Sequence, residues 1–504
     1  MKKEILAISG IFIVIALVLG ISVRGLVGVP SISELNDRVW KDDGPLELSP
    51  DRGRFALIYS IVEEKRVHFS LPVARFATPD LGYHAGKYVS LFAPGVSFLA
   101  APGYMIGTYF GASQVGTYAV ITLFAFMNTL LIYATARQLG AVRFAAVLGS
   151  IVFIFATPAF AYAVSLYQHH VTIFLFLSSL YCLVRWRHNI FSLMTVWFCI
   201  ALAVVVDYPN ALLFFPVTVY AIYQMIALVQ QKKRWVLRVH PMTLISPIAI
   251  VLPLLFFMWF NQASYGNPWQ LAGTVAAVKE IDASGNPAAA ASADPSQQDK
   301  QAVTFFQSRN ILQGLMIHTM STDRGSLVFT PVIFFGLFGV AFCYKKFPHI
   351  AAVIIGAIGV NILLYSMWSD PWGGWAFGSR YLIITYALMS IFIAQGLSLW
   401  RKNWGVLLLF LALFSYSAAV NTLGALSTNA NPPKVEAAAL ETLSGIPQPY
   451  TYQHNYEYIM SNHSKSFVWQ TFLNPYFSAW QYYQLLVGII IALCIGALVS
   501  LFVY

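Results

Sequence analysis

Charge is scarce in this chain. Of its 504 residues only 10% are Asp, Glu, Lys or Arg, 58% are hydrophobic, and the mean hydropathy is +0.67. So few charges cannot cover a soluble globule, which excludes the soluble classes. Cysteine is also rare. Cys182, Cys199, Cys343 and Cys494 lie within or at the edge of apolar runs without metal-type spacing, so they read as lipid-facing or packing residues. Internal repeats, a second soluble domain and a glycine-rich phosphate loop are all missing, and with them any sign of a nucleotide site.

What the chain does have is long apolar runs. Twelve fall at about residues 5 to 24, 115 to 136, 144 to 163, 165 to 184, 190 to 206, 210 to 230, 241 to 260, 326 to 343, 350 to 367, 380 to 399, 405 to 422 and 483 to 503, each near the length that a bilayer core requires. The connections between them alternate between two classes. One class is short and basic: Lys2 and Lys3, Arg137 and Arg143, Arg185 and Arg187, the cluster Lys232, Lys233, Arg234 and Arg238, Lys345 and Lys346, Arg401 and Lys402. These carry 14 Lys/Arg and one carboxylate, Glu4, whereas the other class carries 16 Lys/Arg and 19 carboxylates. By the positive-inside rule the basic face is cytoplasmic. Both termini are then inside a multi-pass cell (inner) membrane protein, and any chemistry is on the outer face. The pI of 9.3 resides in juxtamembrane clusters that meet anionic membrane lipids, not in a nucleic-acid surface. The first run follows Lys2 and Lys3 but ends at Ser22, Val23, Arg24 without a small-x-small site, so it reads as a retained span rather than a signal peptide.

Residues 89 to 110 are apolar enough to cross, yet counting them as a span would invert every later basic loop. Pro94 and Pro102, each followed by glycine, also interrupt the helical ladder. This stretch is read as an interfacial or re-entrant helix in the first outer segment, 25–114. Two further outer segments are long: 261–325, with an Ala/Ser/Gly/Pro-rich patch of mobile-loop composition, and 423–482. The fold class is an all-α membrane protein forming a single polytopic domain.

Polar chemistry collects on the outer side. Asp51 enters a helix after Ser49 and Pro50, and reads either as an acidic cap or as a functional carboxylate. Asp80 reads either as a turn carboxylate or as its rival, with Lys87 seven residues on. His169 and His170 open one span opposite Asp207 and Tyr208 in the next outer turn, a costly arrangement unless the groups are paired or wet. They are read as a polar cavity rim, since a metal site would need more ligands at defined spacing. In YSMWSDPWGGWAFGSRY, residues 365 to 381, an interfacial aromatic belt accounts for Trp368, Trp372 and Trp375. It does not account for Arg380 at the top of a span beside Gly378 and Tyr381. Bidentate phosphate recognition does.

Together these blocks resemble the GT-C glycosyltransferases, polytopic enzymes that take a sugar from a polyprenyl-phosphate carrier, such as protein O-mannosyltransferases and lipid A aminoarabinose transferases. The resemblance rests on DRGRFALIYSIVEEKRV from Asp51, YVSLFAPGVSFLAAP, NQASYGNPWQLAG, STDRGSLVFTPVIFFGLFG and WGGWAFGSRYL, in that order and on one side of the membrane. It implies a GT-C-like bundle of about 12 transmembrane helices with interfacial helices in the first outer loop. The lysine of the family's lysine-proline helix is absent, since Phe92 and Ala93 precede Pro94. The resemblance further implies transfer of a hexosyl or pentosyl group to a lipid, glycan or protein acceptor. Asp51, with Asp80 as its rival, would be the general base, and Arg380 with Arg54 or Lys87 would hold the donor phosphate. His169, His170, Asp207, Tyr208, Trp372 and Tyr381 would rim the cavity. No cofactor is required by anything in the sequence, and a divalent metal is left open. A lipid-linked glycan polymerase or ligase, or a polytopic transporter or flippase, is the alternative; repeated halves and mid-span charges, the usual transporter marks, are missing.

Overall fold

The computed structural model describes residues 2–41, 43–231, 234–288 and 305–503. Lys232, Lys233 and residues 289–304, which include the second half of the Ala/Ser-rich patch, lie outside the described residues. In chain order the helices used below are α1 (Lys2–Ser22), α2 (Ser49–Val62), α3 (Gly95–Tyr109), α4 (Ser113–Gln138), α5 (Arg143–Phe155), α6 (Ala159–Ala163), α7 (His169–Arg185) and α8 (Ile190–Val206). Among the described residues seven helices are long and apolar enough to cross a membrane: α1, α4, Pro241–Tyr265, Pro348–Ser366, Arg380–Trp400, Trp404–Leu426 and Ala479–Val503. Arg380–Trp400 is the central one, with 89% of its window buried against 28% for Pro241–Tyr265. Apolar on all sides, the former packs within the bundle while the latter turns apolar surface outward.

α5, α7 and α8 are apolar but shorter. The run expected over 144 to 163 breaks after Phe155, where Pro158 removes an amide donor, and resumes as α6. Two other expected spans are also broken. The run 326 to 343 consists of Ser326–Phe329, a tight turn of helix over Pro331–Phe335 and Gly336–Lys346. The run 210 to 230 ends its helix at Met225, and Ile226–Gln231 then pairs antiparallel with Arg234–Val239. That segment is a hairpin rather than the end of a span, in keeping with its β-branched and aromatic residues.

The charge-sorted loops collect at opposite ends of the bundle. At one end Glu4 pairs with Arg143, Gly140 lies against Lys346, His349 packs on Tyr223, and His188 bonds the Gln224 carbonyl and stacks on His240. At the other end the Arg24 side chain donates to the Ala425 carbonyl, and Gln168 donates to Asp207. Helix α3 begins and ends at this second end, with Gly95 against Val205 and Val206 and Gly107 against Ser113. It packs on α4 through glycines: a Cβ on Gly116 would lie 2.2 Å from the Gly103 carbonyl oxygen, so only glycine permits this approach. Met105, Ile106, Tyr109 and Phe110 are left exposed beside it.

The segments read from the sequence as outer are tied by a small antiparallel sheet that the sequence did not reveal. Leu81–His84 pairs with Lys87–Ser90 on one edge and with Ala277–Val278 on the other. This brings the first and middle outer segments together over the same end of the bundle.

Candidate functional site

A cavity of about 560 Å³ opens at that end. Its polar lining comprises Arg54 from α2, Asp80, Tyr167 and Gln168 from the break between α6 and α7, Asp207 and Tyr208, and Arg380 with Tyr381. Apolar and aromatic side chains, among them Phe92, Leu271, Val275, Phe305, Phe306, Tyr365 and Trp368, complete the lining.

The local sequence explains how each side chain arrives. Asp80 precedes the first strand of the small sheet and accepts a hydrogen bond from Ser49 Oγ at 2.5 Å, which fixes it to the start of α2. Arg54, one turn into α2, donates to the Pro50 carbonyl at 3.0 Å and to Gln168 Oε1 at 2.6 Å. Gln168 in turn donates Nε2 to Asp207 Oδ2 at 3.1 Å, so a single amide joins cation to carboxylate. Arg380 follows a loop closed by Asp370, which accepts the Trp372 and Gly374 amides at 3.1 and 2.6 Å. Gly378, at φ +59° and against Pro158, supplies the left-handed bend that a side chain would resist. Tyr381 stacks on Tyr365 with ring centres 4.2 Å apart, and Tyr208 Oη accepts the Ala272 amide at 3.3 Å.

Neither Arg54 nor Arg380 forms an ion pair among the described residues. Arg380 Nε is buried without a hydrogen-bond partner. Burial holds the Arg54 guanidinium below its usual value even though Tyr167, Asp51 and Asp207 favour its charge. Burial likewise pushes the Asp207 carboxyl above the usual range, against Arg54, the Gln168 hydrogen bond and Arg380. Two cations without a direct ion-pair partner in a partly dry site are arranged to receive an anion.

The remaining sequence candidates lie elsewhere. Asp51 is 2% exposed and absent from the cavity lining. Its Oδ1 accepts the Leu166 amide at 2.9 Å, so it does not act as a side-chain cap on its own helix. Lys87 is exposed on the small sheet, away from the lining. His169 faces a recess of about 20 Å³ that it shares with Asp207 and Tyr381, and its Nε2 is buried and unpartnered. His170 is a core residue, with Nε2 2.8 Å from the Ala159 carbonyl oxygen and its own carbonyl accepting from Asn128. Trp372 is half-buried in the Asp370 loop; Trp368 is the tryptophan of that loop that reaches the cavity. Among the described residues no group of three or more His, Cys, Asp or Glu is gathered as metal ligands.

Tyr167 and Gln168 stand beside the two histidines at the entry to α7, and both line the cavity. Sequence reasoning missed a buried ion group: Glu47 pairs with Lys465 and lies 3.8 Å from Arg24. Although burial opposes it, Lys465 and Arg24 hold the Glu47 carboxyl below the usual range.

No protein-family model and no curated protein sequence matches this chain. Among solved structures it is similar to ArnT from Cupriavidus metallidurans in the apo state, at 13% identity and TM-score 0.44, over 96% of this chain and 76% of that one. The ArnT structure bound to undecaprenyl phosphate matches at 15% identity and TM-score 0.42, over 97% and 77% of the two chains. The Archaeoglobus fulgidus oligosaccharyltransferase AglB, in complex with an inhibitory peptide and a dolichol-phosphate, matches at 13% and 0.41. That match covers 97% of this chain but only 56% of AglB. These likenesses run along most of this chain and assign no residue a role.

Proposed function

We propose that the protein is a membrane glycosyltransferase that moves a sugar from a polyprenyl-phosphate carrier to an acceptor hydroxyl, in this cavity and on the outer face of the membrane. The observation that carries the reading is the placement of two ion-pair-free guanidiniums, Arg54 and Arg380, in one cavity with the half-buried carboxylate of Asp80. The acceptor oxygen attacks the anomeric carbon while Asp80 takes its proton. The bond between that carbon and the phosphate oxygen breaks, and the departing phosphate collects its charge against the two arginines. Asp80 is the base in this scheme because it borders the cavity and Asp51 does not. The aromatic side chains of the lining offer flat apolar faces to the sugar ring and the first lipid carbons.

The test is transfer itself. The full chain in lipid nanodiscs is given polyprenyl-phosphate donors bearing a labelled sugar, together with lipid, glycan and peptide acceptors. Movement of a single labelled sugar to an acceptor is the expected result. Extension of a lipid-linked glycan would identify a polymerase, and lipid movement without bond exchange a flippase; either would overturn the reading.

A further inference from the structure

We infer that Asp51 is a positioning residue: by accepting the Leu166 amide, its carboxylate holds the break between α6 and α7 so that Tyr167 and Gln168 face Arg54 and Arg380. Deepening the proposed function, the inference rests on that reading only for the identity of the anion bound.

An acid in the first turn of a helix ordinarily accepts from that helix's own free amides. Asp51 reaches across to Leu166 instead, at 2.9 Å. The receiving segment explains why. Residues 164 to 168 interrupt two helices in the buried interior, so their amides have no helical ladder to join and require other acceptors. A second tie lies one turn further along α2, where Arg54 donates to Gln168 at 2.6 Å. Helix α2 thus grips the break on both sides of Tyr167. The residue so held matters to a ligand: Tyr167 is 1% exposed, lines the cavity, and its hydroxyl has no hydrogen-bond partner. A buried hydroxyl left free beside two guanidiniums is a third donor for an anion.

The test compares Asp51→Ala and Asp51→Asn in the full chain in nanodiscs. Amide exchange of the peptide spanning residues 164 to 168 is read by mass spectrometry without ligand, and binding of undecaprenyl phosphate is read by tryptophan fluorescence. Asp51→Ala is expected to speed exchange of that peptide and weaken binding by roughly tenfold, the value of one hydrogen bond. Asp51→Asn keeps an acceptor oxygen and is expected to restore both to within about threefold. Unchanged exchange in Asp51→Ala, or failure of Asp51→Asn to restore protection, overturns the inference even where Asp51→Ala does not fold. Normal rescue of exchange in a protein that binds no undecaprenyl phosphate leaves the positioning intact and counts against the proposed function alone.

Discussion

Arg54 and Arg380 lie over the same ring, with their guanidinium carbons 5.4 and 5.3 Å from the centre of Tyr167. The ring's quadrupole steadies both cations without consuming their N–H donors, as a carboxylate partner would. The side chains come from the first outer loop and from the top of a late span, and Tyr167 is where the two meet.

Arg380→Ala is expected to weaken binding of a polyprenyl phosphate by roughly 10- to 100-fold, because charge-assisted hydrogen bonds to the phosphate are lost together with the stacked cation. Arg380→Lys keeps charge but not the planar fork, so partial recovery is expected. Titration of undecaprenyl phosphate against each variant checks this, and wild-type affinity in the alanine variant removes Arg380 from the site.

Burial pushes the Asp51 carboxyl up to about 7, against the pull of Arg54, Arg24 and the Leu166 amide. The unfolded chain titrates this group near pH 4. Since the folded value is the higher one, its contribution to stability is complete below about pH 4 and is lost as pH rises through about 7. Thermal unfolding of wild type and Asp51→Asn in the same detergent should therefore diverge between about pH 4 and pH 8. The asparagine variant should gain relative stability towards the alkaline end, on the order of a few kcal/mol. A constant difference across that range would mean that the carboxylate is not held neutral by burial.

Hydropathy and charge made much of the fold legible. All twelve apolar runs are helical in whole or in part, and prolines such as Pro158 and Pro331 mark where they break. The hairpin after Met225 was not legible, because Ile226 to Val229 continue the apolar run and only pairing with Arg234–Val239 separates strand from helix. Nor was the contact of Ala277–Val278 with Leu81 and Gly82, which is too short to leave a pattern. At the site, Arg380 was visible because the glycines around it have no other explanation. Asp51 ranked above Asp80 as the base because it opens the helix where the resembled family carries its acid, and the sequence held no sign that Asp51 is enclosed while Asp80 borders the cavity. The Glu47, Lys465 and Arg24 group joins two distant outer segments, and no local motif announces it.

The sidedness of α3 can be read chemically. Phe110 is exposed at its end and Gln138 is exposed at the far end of α4, while the four native cysteines are buried and give little background. A membrane-impermeant maleimide applied to intact cells should label Phe110→Cys and spare Gln138→Cys until the membrane is opened. The opposite pattern would place the cavity in the cytoplasm and exclude an outer-face donor.

The base assignment separates the two carboxylates most sharply. An acceptor hydroxyl is too weakly acidic to attack unaided, and general-base catalysis ordinarily contributes about two to four orders of magnitude. Asp80 borders the cavity with one oxygen engaged by Ser49, whereas Asp51 is enclosed and engaged by Leu166. Asp80→Asn keeps the shape and still accepts from Ser49 but cannot take a proton. It should therefore lower turnover by roughly 100- to 10,000-fold while leaving donor affinity within about threefold. Asp51→Asn should instead retain turnover to within about threefold, because its amide oxygen still accepts the Leu166 amide. Side-by-side rates and donor affinities for the two variants decide the matter: loss of turnover in Asp51→Asn with none in Asp80→Asn moves the base to Asp51, and full turnover in both means that neither carboxylate takes the proton.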